Sequence, residues 1–254
     1  ENYSKNYIEI QDFGNETLFK RLNKKKIDKF FYFKKIINLL NKTQSIKKRK
    51  IKNFKNRYYL IPKYDRNLLI KESSLFCDWY AKKKLTNLNK DKFSKDFKKI
   101  IKQLANNLKL KNNVFVHRDF HVSNLMMVNN QIGIIDSQDA LIGNKAYDLA
   151  SLIDDVRMKT SKSLKKKVYN FYIKKQKKLD IHKFKNDFEI LSILRNLKII
   201  GIFTRLSMRD RKNNYLKLIP YTWKLINMRI NENEIFEDLK KLLNKNFKGK
   251  LNEN

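Results

Sequence analysis

Three kinds of residue are scarce in this 254-residue chain, which has one cysteine, two prolines and five glycines. A single cysteine, Cys77, cannot form a disulfide within the chain, so we expect a reducing, cytoplasmic location. No signal-peptide pattern opens the sequence, and no apolar run approaches the ~20 residues that a membrane span needs. We therefore expect no membrane partner.

The glycines are too far apart to form a glycine-rich phosphate-binding loop. Both common loops of this type need two or three glycines within about six residues. The glycines here stand at Gly14, Gly133, Gly143, Gly201 and Gly249. Any nucleotide site in this sequence must therefore be built without such a loop.

Acidic residues are also few, with 25 Asp and Glu against 59 Lys and Arg, and the formal net charge is +34. Such an excess is typical of proteins that bind nucleic acids or anionic membranes. Here the basic residues are spread over every segment instead of forming one patch, although residues 42–57 hold the densest run. We interpret the charge as a bias of composition and do not expect a nucleic-acid partner.

Hydrophobic residues make up 41% of the chain, enough for a sizeable core. Alternating residues predict a short strand at 7–11, residues 42–57 are predicted as a loop, and a hairpin is expected to turn at 129–131. Apolar residues at helical spacing predict helices at 17–40 (broken near 23–26), 66–85, 92–110, 146–158, 163–177, 187–210, 214–229 and 234–247. The sequence thus predicts an α+β fold that is mostly helical around a small β-hairpin.

Three polar residues between 114 and 136 have the spacing of a phosphoryl-transfer site. Asp119 follows an apolar run, Asn124 comes five residues later, and Asp136 ends the second strand of the predicted hairpin. Phosphoryl transfer needs a carboxylate that orients and deprotonates the attacking hydroxyl, and hard oxygen ligands that hold Mg²⁺ on the phosphates. The order matches H-R-D-x-x-x-x-N followed by a metal-binding Asp. The alternative is a polar hairpin whose Asp and Asn side chains only cap turns.

The segment resembles the aminoglycoside phosphotransferase/choline kinase family, which has a protein-kinase-like fold. The resemblance extends from about residue 6 to about residue 230. Two stretches, 75–80 and 205–220, resemble in particular the bacterial kinases that phosphorylate N-acetylmuramate and N-acetylglucosamine at the anomeric hydroxyl. The family motifs that match are at 117–126, 135–140, Gly143 and 147–152.

The resemblance implies a role for each member of the polar set. Asp119 would be the catalytic base, and Asn124 and Asp136 would ligate Mg²⁺ while ATP serves as the phosphoryl donor. His117, Arg118 and Asp148 are expected to support the catalytic loop without touching the ligand. Four further residues are candidates for substrate contact, with turn capping or an exposed ion-paired face as their alternative: His121, Asp139, Arg205 and Arg209.

The resemblance also implies a division of the chain. Residues 1–14 would be the hinge strand and the turn after it, where the backbone near Ile10 and Asp12 holds adenine. Residues 15–254 would be the kinase-like large (C-terminal) lobe. The N-terminal lobe, which in this family carries the phosphate-covering loop, would then be largely absent from the sequence.

Two classes of function follow from these patterns. The first is an ATP- and Mg²⁺-dependent phosphotransferase acting on a hydroxyl of a small molecule, with an amino sugar as the expected partner. Choline, homoserine or an aminoglycoside are alternative substrates, although a polycationic aminoglycoside would require an acidic site. The second class is a non-catalytic basic binding module derived from a kinase lobe. Such a module would have no physical need for a catalytic base and two metal ligands at the correct spacing.

Overall fold

The computed structural model describes residue 7 and residues 9–53 and 55–251. Its helices dominate the fold, and short strands connect them. The α-helices within the described residues are α1 (Leu18–Leu22), α2 (Lys29–Gln44), α3 (Arg66–Ser73), α4 (Lys82–Lys84), α5 (Asn87–Asn106), α6 (Ala146–Ile153), α7 (Lys162–Lys174), α8 (Ile181–Asp210), α9 (Ile219–Ile230) and α10 (Glu237–Asn246). A π-helix (Phe76–Ala81) precedes α4, and 3₁₀ turns occupy Val122–Asn124, Asn213–Leu218 and Glu234–Phe236.

The strands pair in antiparallel couples. They are β1 (Lys50–Lys52), β2 (Tyr58–Leu60), β3 (Asn112–Val116), β4 (Leu125–Val128), β5 (Gln131–Ile134) and β6 (Leu141–Asn144). The pairs are β1 with β2, β3 with β6, and β4 with β5. The β4–β5 pair is the hairpin predicted from the sequence, with Asn129 and Asn130 at positive φ in its turn. The predicted α+β fold, mostly helical around a small hairpin, is confirmed.

The long helix α8 lies at the centre of the lobe. Buried side chains cover most of its circumference from Asp187 to Thr204, which is the pattern of a helix surrounded by other elements. It packs against α6, α9 and the π-helix. No helix in the described part of the chain combines the length and apolar character required to cross a membrane.

Side-chain caps explain where several helices begin. The carboxylate of Asp28 accepts a hydrogen bond from the Phe31 backbone N–H, so α2 starts after the break predicted near 23–26. Asp180 caps α8 in the same way through Lys183 N, so this helix starts at Ile181, earlier than the predicted 187. Pro220 stands in the first turn of α9, where its missing N–H costs nothing.

Two predictions of local structure were wrong in part. Residues 42–57, predicted as a loop, include the end of α2, strand β1 and the approach to β2. The β1 and β2 side chains are exposed on both faces, so no apolar alternation marks them as strands. In the predicted strand 7–11, residue 7 forms an isolated bridge and residues 9–11 have no regular structure, while residue 8 lies outside the described residues.

An aromatic cluster joins the π-helix to the rest of the lobe. Phe76 stacks on Phe97 with ring centroids 5.4 Å apart, and it meets Trp223 of α9 edge-on at 5.8 Å. α8 approaches this segment without an intervening side chain at Gly201. A Cβ atom at Gly201 would overlap the backbone carbonyl of Leu75 and lie 2.7 Å from the Phe76 nitrogen. Glycine is therefore required where the two helices cross.

Replacing Gly201 with alanine is expected to destabilise the protein by about 1–3 kcal/mol, since the added methyl group must push backbone away from backbone. The direction of this change in stability is informative, because glycine-to-alanine substitutions inside a helix ordinarily stabilise the helix. Urea unfolding measures the change. Met208→Ala is the control, because Met208 is 50% exposed on the same helix and should shift stability by less than about 0.5 kcal/mol. A Gly201→Ala variant as stable as the wild type would contradict this packing.

Candidate active site

Strands β3 and β6 support the loop that carries Asp119, and the β4–β5 hairpin carries the other two members of the polar set. Asn124 Nδ2 donates to the backbone carbonyl of Asp119 at 3.1 Å and lies 3.5 Å from Asp136 Oδ2. The Ile135 N–H donates to the Asn124 carbonyl at 3.1 Å, which ties the two ends of the hairpin together. Asp119 and Asn124 are half-buried, whereas Asp136 is exposed. The structure therefore brings all three residues together.

A buried carboxylate holds the backbone of the loop. Asp148, on α6, is fully buried and accepts the backbone N–H groups of His117 at 2.7 Å and Arg118 at 3.0 Å. Arg118 has φ 74°, a left-handed conformation that a non-glycine residue adopts only when its surroundings impose it. Burial raises the pKa of Asp148 to about 7, although these two N–H groups oppose the rise. Asp148 thus fixes the loop one residue before Asp119.

The side chain of Arg118 enters a buried ionic network. It pairs with Glu72, which also binds Lys198 Nζ at 2.8 Å and accepts from the hydroxyl of Tyr64. The hydroxyl of Tyr147, 3.1 Å away, donates in turn to the oxygen of the Tyr64 hydroxyl, whose one proton is directed at Glu72. Burial alone would raise the pKa of Glu72, but Lys198 and Arg118 outweigh it and lower that pKa below its ordinary value. The network links α3, α6 and α8 beneath the loop.

The two histidines of the loop are both buried. His117 Nε2 donates to the carbonyl of Ile135 at 3.0 Å, which anchors the loop to the hairpin. Burial, with the guanidinium groups of Arg157 and Arg195 next in importance, lowers the pKa of His121 to about 2. The imidazole of His121 is therefore neutral at physiological pH and offers hydrogen bonds without a charge.

A cavity of about 390 Å³ opens beside Asp119. One wall is a stripe of α8, and the opposite side is the catalytic loop with the hairpin. Its lining includes Asp119, His121, Ser123, Asn124, Asp136, Tyr147, Arg157, Arg195, Lys198, Ile199, Ile202, Phe203 and Tyr215. The cations Arg157, Arg195 and Lys198 were missed in the sequence. For Arg195 and Lys198, the one signal in the sequence is helical spacing: residues 195, 198, 199 and 202 stand at i, i+3, i+4 and i+7 and so share one face of α8.

Some predicted substrate residues lie away from this cavity. Arg209 is exposed and forms an ion pair with the adjacent Asp210 at 2.7 Å. Arg205 is half-buried on the same helix and is not part of the cavity lining. Asp139 is exposed, and its backbone carbonyl, not its carboxylate, accepts a hydrogen bond from Arg118 at 3.1 Å. The structure therefore does not bring these three residues to Asp119.

The segment before α1 runs across the catalytic hairpin. The Met127 N–H donates to the Glu16 carbonyl at 2.9 Å. The ring of Phe13 lies so close to Gly133 of β5 that a Cβ there would be 2.6 Å from it. Asp12 closes the turn by accepting the Gly14 N–H at 2.7 Å. Asp12 is therefore held beside the hairpin that carries Asn124 and Asp136.

A mostly helical lobe, a loop held by a buried aspartate, and a hairpin that carries an Asn and an Asp together define a protein-kinase-like large lobe. The profile of the APH phosphotransferase enzyme family matches residues 34–177, more than half of the chain. The chain belongs to this family, which confirms the resemblance seen in the sequence.

Two curated relatives share a name. The N-acetylmuramate/N-acetylglucosamine kinase of Neisseria meningitidis is 33% identical over 171 residues, which are 65% of this chain and 51% of that protein. The Pseudomonas aeruginosa protein of the same name is 30% identical over 190 residues, 72% of this chain and 56% of its own. The chain thus spans about half the length of the curated relatives it matches.

A solved structure provides an independent comparison of the fold. An ethanolamine kinase from Plasmodium vivax matches with a TM-score of 0.54 at 17% identity, covering 82% of this chain and 61% of that one. At this identity, the likeness shows the kinase-like fold alone.

Proposed function

We propose that this chain is the large lobe of an ATP- and Mg²⁺-dependent kinase that phosphorylates a hydroxyl of an N-acetylated amino sugar. The observation that carries the proposal is the convergence of Asp119, Asn124 and Asp136 at one cavity of about 390 Å³. A cavity of this size suits a small molecule. The names of the curated relatives supply the substrate class, N-acetylmuramate or N-acetylglucosamine.

Asp119 is the proposed catalytic base. Its carboxylate lines the cavity, where it would orient the acceptor hydroxyl and take its proton as the oxygen attacks phosphorus. Asp148 binds the backbone N–H groups of His117 and Arg118, and the His117 ring binds Ile135, so the loop is fixed directly before Asp119 and sets the direction of this carboxylate. Because such a site works mainly by positioning, the buried supports matter as much as the base.

The donor set at the hairpin fits Mg²⁺. Asn124 Nδ2 donates to the Asp119 carbonyl and lies 3.5 Å from Asp136 Oδ2, so the Asn124 amide, whose Oδ1 is a hard acceptor, lies beside the exposed carboxylate of Asp136. In the described residues, no three His, Cys, Asp or Glu side chains converge on a metal position. Mg²⁺ is commonly held by one or two protein oxygens with phosphate oxygens completing its shell. Bound Mg²⁺ would neutralise charge on the transferred phosphoryl group.

The nucleotide is proposed to lie along the hairpin, with residues 1–14 as the hinge and residues 15–254 as the lobe beneath it. The backbone of Ile10 and Asp12 would contact adenine. Ile10 is 81% exposed, an apolar side chain available for cover by a base or a second lobe. Residues 1–6 and 8 of this hinge lie outside the described residues. A covering element from other residues or another chain would close the site.

Replacing Asp136 with asparagine is expected to weaken Mg²⁺-dependent nucleotide binding by at least roughly 10- to 100-fold, the loss typical of disturbing a metal's surroundings. Titration calorimetry of this chain with ADP, with and without Mg²⁺, measures it. Asp91→Asn is the matched control, since it removes the same charge from an exposed position on α5. Equal binding of Mg²⁺–ADP by the Asp136→Asn variant and the wild type would remove Asp136 from the metal site.

A further inference from the structure

The cationic side chains that line the cavity beside Asp119 differ in whether they have an ion-pair partner. Lys198 and Arg195 both face it from α8, three residues apart. Lys198 has an ion-pair partner, Glu72, at 2.8 Å, which it shares with Arg118. Arg195 is 4% exposed, and within the described chain it forms no ion pair; its Nη1 is enclosed without a hydrogen-bond partner. A buried and unpaired guanidinium is costly, so its retention requires a compensating anion.

In the described residues, the carboxylates near Arg195 leave its Nη1 without a direct partner. Asp148 is close enough for the charge of Arg195 to lower the pKa of its carboxyl group, but both of its oxygens accept backbone N–H groups from the catalytic loop, and it forms no ion pair with Arg195 in the described structure. Asp119 lines the same cavity, but it too forms no ion pair with Arg195 in the described structure. An anion brought by a ligand is the remaining partner.

A second guanidinium reinforces the positive wall. Arg157 lines the same cavity; among the residues that the structure describes, its Nη1 lies 3.6 Å from Asp155 and has no hydrogen-bond partner. The imidazole of His121 faces both arginines and is uncharged, so it neither repels an anion nor competes with it. The cavity therefore offers two incompletely paired guanidinium groups and a neutral hydrogen-bonding ring.

We propose that Arg195, assisted by Arg157, binds a carboxylate on the acceptor, so that the site favours an acidic amino sugar over its neutral counterpart. This inference rests on the proposed sugar-kinase function. The planar guanidinium fork matches a carboxylate in two parallel hydrogen bonds, which gives both affinity and orientation. N-acetylmuramate differs from N-acetylglucosamine by a lactyl group attached through an ether oxygen. The carboxylate of this lactyl group is the only charge that distinguishes the two sugars.

The test compares the affinities of the same protein for the two sugars. NMR titrations of the wild type, Arg195→Met and Arg195→Lys give the dissociation constants. Arg195→Met is expected to weaken N-acetylmuramate binding roughly 10- to 100-fold, the size of a charge-assisted pair, and to leave N-acetylglucosamine binding unchanged. Arg195→Lys should fall between wild type and Arg195→Met, because it keeps the charge and loses the fork. Arg66→Met removes an exposed arginine on α3 and should alter neither constant.

Stability separates a binding role from a structural one. Because Arg195 has no ion pair in the described structure, Arg195→Met should leave the melting temperature unchanged or raise it. A fall in melting temperature, or an equal loss of affinity for both sugars, would overturn the proposal and leave the kinase assignment standing. Retained affinity for both sugars with weaker binding of Mg²⁺–ADP would instead assign Arg195 to a phosphate. Failure of the wild type to bind either sugar would overturn both proposals.

Discussion

Replacing Asp119 with asparagine is expected to lower the rate of phosphoryl transfer in the intact protein by roughly 10²- to 10⁴-fold, the range that a positioned general base contributes. Asparagine has nearly the same shape but cannot accept the proton of the attacking hydroxyl. Because Asp119 is half-buried and Asn124 binds its backbone carbonyl, not its carboxylate, the fold should tolerate the change.

Steady-state rates for the Asp119→Asn variant and the wild type measure this effect, and nucleotide binding serves as the internal control. Binding of Mg²⁺–ADP should persist, because the proposed metal ligands Asn124 and Asp136 remain. Asp91→Asn, with the same change of charge on the exposed face of α5, should retain the full rate. A variant at position 119 that turns over at a near wild-type rate would remove Asp119 from the chemistry.

Replacing Asp154 with asparagine is expected to destabilise the protein by about 3–5 kcal/mol, the cost of leaving buried cations without their counter-ion. Asp154 is 1% exposed and binds Arg229 at 2.9 Å, Lys165 at 3.2 Å and Ser192 Oγ at 2.6 Å. This cluster joins α7, α8 and α9 to the end of α6. Denaturant unfolding at pH 7 gives the difference.

The same cluster makes stability depend on pH. Burial alone would raise the pKa of Asp154, but Arg229 and Lys165 outweigh it and lower that pKa to about 2. A folded-state pKa below the ordinary 3.8 gives stability that is present above about pH 4 and is lost as pH falls toward 2. The Asp154→Asn variant should not show this contribution to the loss of stability at low pH, whereas the Asp91→Asn variant should show it. Equal stability of the Asp154→Asn variant and the wild type at pH 7 would contradict the network.

Local signals in the sequence were enough to predict most of the fold. The hairpin turn at Asn129 and Asn130 and the break before α2 depend on residues that act on their immediate neighbours. The β1–β2 pair was missed because its strands are exposed on both faces, which removes the alternation that marks a strand.

The candidate site was predicted only where it is local in sequence. Asp119, Asn124 and Asp136 lie within 18 residues, and the hairpin alone brings them together. Arg195 and Lys198 reach the cavity because α8 is enclosed by α6, α9 and the π-helix, a packing that no local pattern specifies. Arg205 and Arg209 lie on the same helix, and helical periodicity alone does not distinguish them from Arg195 and Lys198 as candidates for substrate contact.

The most direct measurement of the central proposal is ³¹P NMR of the intact protein with ATP, Mg²⁺ and either amino sugar. The structure leads us to expect a new sugar-phosphate resonance that requires Mg²⁺ and that forms at a roughly 10²- to 10⁴-fold lower rate in the Asp119→Asn variant. Unchanged ATP and sugar, together with steeply salt-dependent binding to nucleic acid, would contradict the kinase assignment and favour a basic binding module built on a kinase lobe.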